Sequence, residues 1–485
     1  MASSPTLSRS PVAEVLRRRP PDAVDLLVAM KSGQISAEDV VGAHLSRLEA
    51  GHDVLNAATH VFREEALAEA RNPRPGRLSG LPVSVKETFG LAGHSVTAGS
   101  LRMPEIRFEE DAEAVRRLRE EGAIIVARSN VPEFAMAGET DNPRYGATRN
   151  PLDPARTCGG SSGGEAALVA SGGSAAGLGT DILGSIRIPA CFCGLVGFKP
   201  ASEAVSKTGS WPDLSGRFTD SWLCAGPIVR SVRDARLIYE VLTGTRIGVR
   251  DNLDAVRVLE PAGFPLAFRH EAIPSALQLA REGLREAGVT PESGPLGHVG
   301  RWYRDKIRFM SWELLPVLED LLRDPVRGRL SLVRETFRRW QGRPEIYDGL
   351  YRLLVVGKLT RYRSDRAAAR CMNRLENART EVRGMLGPDG VLLLPTLGTL
   401  APRHGRMNRL SLKPGVNGLF TPLTLCNYLN LPAITVPAWR CRDAGTGMVP
   451  GVMLAAAPGS EELLLSVAER LESIVGPEPG EEVDI

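Results

Sequence analysis

Apolar positions along the chain alternate between helical and strand-like spacing. Val40, Val41, His44, Leu45 and Leu48 share one face of a 3.6-residue turn. They follow Ser36 as N-cap and Asp39 in the capping-box position, so a helix is predicted to begin there. A loop rich in Pro and Gly, Asn72 to Gly80, precedes the strand-like run Leu81–Glu87. Asp111–Glu121 has amphipathic helical spacing and leads into Ala123–Ala127, which reads as a short buried strand. Residues 164–171 read as helix and Ala175–Thr180 as strand. A further helix, capped at Ser231–Asp234, runs through Leu242. Gly390–Thr396, Leu429–Pro437 and Gly451–Ala455 complete the predicted core, and a last helix runs from Glu461 to about Ile474. Such alternation predicts an α/β fold in which helices cover the faces of a sheet. No internal repeat is present.

Residues 300–375 break this pattern. They are arginine-rich, carry Trp302, Trp312 and Trp340, and contain no strand-like run, so they are read as a helical substrate cap. Within them Leu330, Val333, Phe337 and Trp340 recur at helical spacing among Arg327, Arg329, Arg334, Arg338 and Arg339. A basic amphipathic stripe of this kind is expected over a substrate groove or at a homodimer contact, ahead of a membrane surface. At the N-terminus, residues 1–20 are polar, with Arg17–Arg19 followed by prolines, and are expected to be a disordered tail rather than a signal peptide. With no run of about 18 apolar residues, no membrane span is expected and the cytoplasm is the default compartment.

Composition narrows the function. A net charge of +3 on 485 residues gives no electrostatic case for a nucleic-acid partner. Cys158, Cys191, Cys193, Cys224, Cys371, Cys426 and Cys441 are scattered and odd in number, so they are read as buried thiols rather than a disulfide framework. Neither they nor the seven histidines fall at metal-ligand spacing, and no metal or cofactor is expected. Lysine stands only at Lys31, Lys86, Lys199, Lys207, Lys306, Lys358 and Lys413, and arginine is used almost everywhere else. Arginine stays protonated, whereas a desolvated lysine can serve as a base. Lys86, in mid-strand, is the candidate.

The chemistry concentrates in Cys158-Gly159-Gly160-Ser161-Ser162-Gly163-Gly164-Glu165, Gly179-Thr180-Asp181-Ile182-Leu183-Gly184-Ser185-Ile186-Arg187 and Cys193-Gly194-Leu195-Val196-Gly197-Phe198-Lys199-Pro200. The glycine turns allow backbone N–H groups to approach a developing oxyanion. A phosphate cradle is the competing reading, but the Gly-Lys-Ser/Thr ending of a P-loop is missing. With Lys86, Asn130–Phe134 and Tyr145–Pro151, these segments resemble the amidase signature family over roughly residues 25–475. Val85-Lys86-Glu87, Gly209-Ser210-Trp211-Pro212 and the stretches Gly387–Gly390 and Ala401–His404 are similar to its fatty-acid amide hydrolase branch.

The resemblance implies a single domain over 21–485, built on a large mixed central β-sheet covered by helices on both faces, with the cap at about 300–375. It implies a Ser–cisSer–Lys triad: Ser185 as nucleophile, Ser161 on a cis peptide bond as bridge and Lys86 as base. The backbone N–H groups of Ile182, Leu183, Gly184 and Ser185 would form the oxyanion hole. Ser162 is expected to brace the loop, Asp181 and Arg187 to pair with buried neighbours, and Met136 and Thr140 to bind substrate. One departure stands out. The family usually has Gly-Gly before the nucleophile, and Leu183 replaces the first glycine, which is expected to reshape the hole or narrow the pocket. The implied reaction is hydrolysis of a small, apolar amide or ester through an acyl-enzyme. Amide synthesis or acyl transfer, the amidase-like subunit of a tRNA-dependent amidotransferase, and a non-catalytic binding protein are the alternatives.

Overall fold

A computed structural model describes residues 20–103, 105–263, 266–296, 300–324, 328–407 and 417–477. The expected disordered tail therefore lies, but for Pro20, outside the described residues. The sheet has eleven strands: β1 (Ala58–Val61), β2 (Pro82–Lys86), β3 (Ile124–Ser129), β4 (Ala176–Asp181), β5 (Val196–Lys199), β6 (Cys224–Val229), β7 (Arg257–Ala262), β8 (Glu292–Pro295), β9 (Gly390–Pro395), β10 (Ala433–Pro437) and β11 (Gly451–Ala456). Their order is β1-β3-β2-β4-β6-β5-β10-β11-β9-β7-β8. β2 pairs in parallel with β3 and β4, and β7 with β8 and β9, while the remaining pairs are antiparallel. The sheet is mixed, as expected.

Side-chain alternation divides the core. Val391 and Leu393 of β9, with Val452, Leu454 and Ala456 of β11, join one apolar cluster. The intervening Leu392, Leu394, Met453 and Ala455 join another on the opposite face. Period-two alternation with apolar residues on both faces requires a cover on each side. The helices Val232–Thr243 and Glu461–Val475 pack on the first face, Asp365–Leu386 and Asn417–Tyr428 on the second.

Local signals correspond closely to the observed elements. Ser36 and Asp39 form a reciprocal capping box on the helix Ala37–Leu55, and Ser231 caps Val232–Thr243. The run at 429–437 is strand only over Ala433–Pro437, because a turn with Asn430 at φ 51° separates it from the preceding helix. Four helices, Gly300–Leu321, Leu332–Trp340, Asp348–Thr360 and Asp365–Leu386, fill the span between β8 and β9. The last continues well past residue 375. No helix among the described residues is long and apolar enough to cross a membrane.

Candidate active site

Two neighbouring strands and one glycine turn bring the chemistry together. β2 ends on Lys86, whose side chain is wholly buried. β4 ends on Asp181, and the chain then turns through 182–186 to the nucleophile candidate. The loop 158–162 leads into the helix Gly163–Ser171, every residue of which is buried. Gly160–Ser161 is a cis peptide bond. Lys86 Nζ donates to Ser161 Oγ at 2.7 Å and to Thr180 Oγ1 at 2.8 Å. Burial pulls the Lys86 ammonium down from 10.5 to about 7, against the opposing pull of Asp181, Glu165 and Cys224. A lysine that titrates there supplies a neutral amine at ordinary pH, which a base requires.

Ser161 and Ser185 line the same small cavity, of about 40 Å³, with Thr180. Its other walls are largely apolar: Phe134, Met136, Ile182, Trp211, Leu214 and Leu223. The Phe134 and Trp211 rings lie 5.6 Å apart, and Phe134 and Ala135 both have left-handed backbone, at φ 56° and 54°. The Ser185 carbonyl accepts from the Ser162 N–H at 3.1 Å, which ties the two glycine turns together. Among the described residues no hydrogen bond joins the Ser161 and Ser185 hydroxyls. Catalytic hydrogen bonds commonly tighten only once substrate is bound.

The turn that carries Ser185 is held from below. Asp181 Oδ1 accepts from Gly184 N–H at 2.7 Å and Asp181 Oδ2 from Ile186 N–H at 3.1 Å. Arg187 Nε lies 3.0 Å from Asp181 Oδ2 with both side chains fully buried, and its guanidinium also reaches Asn427 Oδ1 at 2.7 Å. Burial alone would push the Asp181 carboxyl up; Arg187 holds it well below the usual carboxylate range. Asp181 and Arg187 thus pair with buried neighbours.

Three sequence expectations change. The Gly184 amide, expected in the oxyanion hole, already donates to Asp181, which leaves those of Ile182, Leu183 and Ser185 for that role. Thr140 does not line the cavity: its hydroxyl donates to the Gly159 carbonyl at 2.9 Å and accepts from Gly163 N–H at 3.2 Å, so it braces the serine loop. Leu183 avoids left-handed backbone, which falls instead on Gly184 at φ 111°, and its side chain packs on the core beside the cavity rather than in its lining. Met136, by contrast, is part of the wall. Ser162 braces the loop through Thr180, donating to its carbonyl at 3.3 Å.

The cap stripe is not where a substrate groove would need it. Leu330 packs inward, but Val333, Phe337 and Trp340 are 81%, 56% and 81% exposed. A groove of about 400 Å³ on the cap, lined by Pro316, Leu330 and Leu354 among others, holds none of Lys86, Ser161 and Ser185. Sequence reasoning quoted Thr180 and Phe134 within family-like segments without giving either a role, and missed the wall residues Leu214 and Leu223, which no local pattern marks. Among the described residues no three His, Cys, Asp or Glu side chains converge as metal ligands.

The amidase family profile matches residues 39–465. A glutamyl-tRNA(Gln) amidotransferase subunit from Nitratidesulfovibrio vulgaris (strain DP4) is 39% identical over 298 residues, covering 60% of this chain and 56% of its own length, so that match spans about half of the relative. Fatty-acid amide hydrolase 2-B of Danio rerio is 27% identical over 490 residues, covering 94% and 89%. A solved structure described as an amidase superposes with a TM-score of 0.79 at 29% identity, covering 94% of this chain and all (100%) of the other. The likeness to the fatty-acid amide hydrolase branch therefore stands beside a higher local identity to amidotransferase subunits.

Proposed function

The chain belongs to the amidase signature family, an amide-hydrolysing family, and on that premise we propose that it works through a Lys86–Ser161–Ser185 relay. The observation that carries this reading is the buried 2.7 Å contact from Lys86 Nζ to Ser161 Oγ, with Ser161 and Ser185 on one cavity. Ser185 Oγ attacks the amide carbonyl. Its proton passes to Ser161 Oγ as the Ser161 proton passes to neutral Lys86 Nζ. The tetrahedral oxyanion takes hydrogen bonds from the amides of Ile182, Leu183 and Ser185, each donor contributing roughly 3–4 kcal/mol at comparable sites. Collapse expels the amine, which receives the proton back from Lys86 through Ser161. Water then enters by the same relay and releases the acid.

The wall of Phe134, Met136, Trp211, Leu214 and Leu223 favours a small amide or ester with an apolar part next to the carbonyl. The test is labelling with a fluorophosphonate followed by mass spectrometry of the adduct. An adduct on Ser185 that Ser185→Ala abolishes supports the relay; an adduct carried by another residue refutes it. A second reading, catalysis within an amidotransferase assembly, is favoured by the 39% identity to a relative so named. Turnover of simple amides by the isolated chain counts against it. Product analysis with competing amines separates hydrolysis from acyl transfer.

A further inference from the structure

The helix that follows the serine loop is apolar and fully buried, yet its third residue is Glu165. The carboxyl is wedged under β2. Glu165 Oε2 lies 2.5 Å from Ser84 Oγ, which is 2.9 Å from Ser174 Oγ. Gly177 of β4 leaves the necessary room: a Cβ there would stand 2.4 Å from Glu165 Oε2. Glu165 Oε1 finds no hydrogen-bond partner among the described residues, nor does Ser129 Oγ, which lies close enough to favour the Glu165 carboxylate. Ser84 and Lys86 are two apart on β2 and so share one face, and Ser129 stands opposite Lys86 in the β2–β3 register. Glu165 therefore sits beneath the base, in a nest of hydroxyls.

The surrounding charges are few. Asp181 and Cys224 face Lys86 from β4 and β6. Arg230, after β6, sends Nη1 to the carbonyls of Val169 and Ser174 rather than to the carboxyl. His44 and Arg47 lie on the helix Ala37–Leu55, which packs across the far side; burial, aided by Arg230, holds His44 at about 3, so it is neutral. Lys86 is the cation that acts on Glu165.

A buried carboxylate with one cationic neighbour costs several kcal/mol unless the pair is well hydrogen-bonded, so the alternative is for both groups to be neutral. We propose that Glu165 is a positioning residue that titrates jointly with Lys86: protonated, it leaves the lysine free of its proton, and ionised, it strengthens the lysine as a base. This inference rests on the relay proposed above. Burial raises Glu165 to about 8 and lowers Lys86 to about 7, so the two groups exchange protons over the same pH range. The ammonium that forms on Lys86 during acylation then faces a carboxylate. The proton taken from Ser185 stays in the relay and leaves with the amine; Glu165 makes and breaks no bond to substrate.

The experiment is the rate of Ser185 labelling by a fluorophosphonate between pH 6 and 9.5, with infrared titration of the carboxyl carbonyl stretch, on the full chain as wild type, Glu165→Gln and Lys86→Met. Glutamine mimics the protonated acid. Wild type and Glu165→Gln are expected to label at similar rates near pH 6.5. At pH 9 the wild type should be about tenfold faster, the effect of roughly one pKa unit in the base. A protonated-carboxyl band present at pH 6 in wild type should be absent from Glu165→Gln, and its midpoint should rise in Lys86→Met, because the neighbouring cation is gone. A Glu165→Gln profile that keeps the full rise at pH 9, or a wild type already without the band at pH 6, overturns the joint titration. If Glu165→Gln does not fold, the midpoint in wild type against Lys86→Met decides, and an unchanged midpoint overturns it. No labelling of wild-type Ser185, or a pH rise intact in Lys86→Met, refutes the relay itself; a rise lost in Lys86→Met but untouched in Glu165→Gln refutes this inference alone.

Discussion

Replacing Lys86 with methionine removes the proposed base, and it also removes a proton that the fold must expel. Lys86 titrates near 7 when folded against 10.5 as a model lysine, so between those values the unfolded chain binds the extra proton and stability rises with pH. At about 1.4 kcal/mol per unit, the penalty is about 5 kcal/mol below pH 7, shrinks as pH rises and is gone above about pH 10.5. Methionine has similar length and no charge. It forfeits the hydrogen bonds to Ser161 Oγ and Thr180 Oγ1, about 1 kcal/mol each and independent of pH over this range. Lys86→Met is therefore expected to be more stable than wild type by about 2–3 kcal/mol at pH 7, equal to it near pH 9 and less stable by about 2 kcal/mol above pH 10.5. Guanidinium denaturation of both proteins at one-unit pH intervals measures the difference, and fluorophosphonate labelling of Lys86→Met should be almost absent throughout. A stability difference that stays flat from pH 7 to 10 would refute a depressed lysine, whatever the labelling shows.

Thr140→Val should cost about 1–3 kcal/mol by leaving the buried Gly163 N–H without its acceptor, and should slow Ser185 labelling without altering preference among acyl chains. A changed preference with unchanged stability would restore Thr140 to the substrate. Phe337→Ser with Trp340→Ser should leave kcat/KM in the same ratio across short and long acyl substrates, because both side chains face outward; a selective loss of long substrates would place the stripe on the substrate path. Leu183→Gly should not broaden the substrate range, since Leu183 is outside the cavity lining; a variant that gains activity on small unbranched amides would show that leucine does narrow the site.

What was legible in the sequence was what local chemistry encodes. The capping box at Ser36, the Ser231 cap and the apolar runs of β9 and β11 each depend on residues a few positions apart, and each is seen in the structure. The lysine and two serines were readable because their spacing and glycine turns form an ordered pattern. The support beneath them was less so. That Gly184 spends its amide on Asp181, or that Thr140 faces Gly163, is decided by which side of a tight turn a group presents, and one-dimensional spacing carries no such information. The stripe at 333–340 shows the limit most clearly. Its helical period was correct, yet it is Glu335 and not the apolar stripe that turns inward, because periodicity names a face without naming its neighbour.

The space in front of Ser185, about 40 Å³, is small and largely apolar-walled. A substrate larger than this space would be bound only by the fraction of molecules whose wall has moved aside. Apparent affinity is then the intrinsic affinity scaled by that fraction. Substitutions that pre-open the wall, for instance at Phe134 or Trp211, would tighten binding without adding a contact. Two substrates of equal fit would also differ in rate if one needs a wider opening, so selectivity here is in part a matter of how often the door stands ajar.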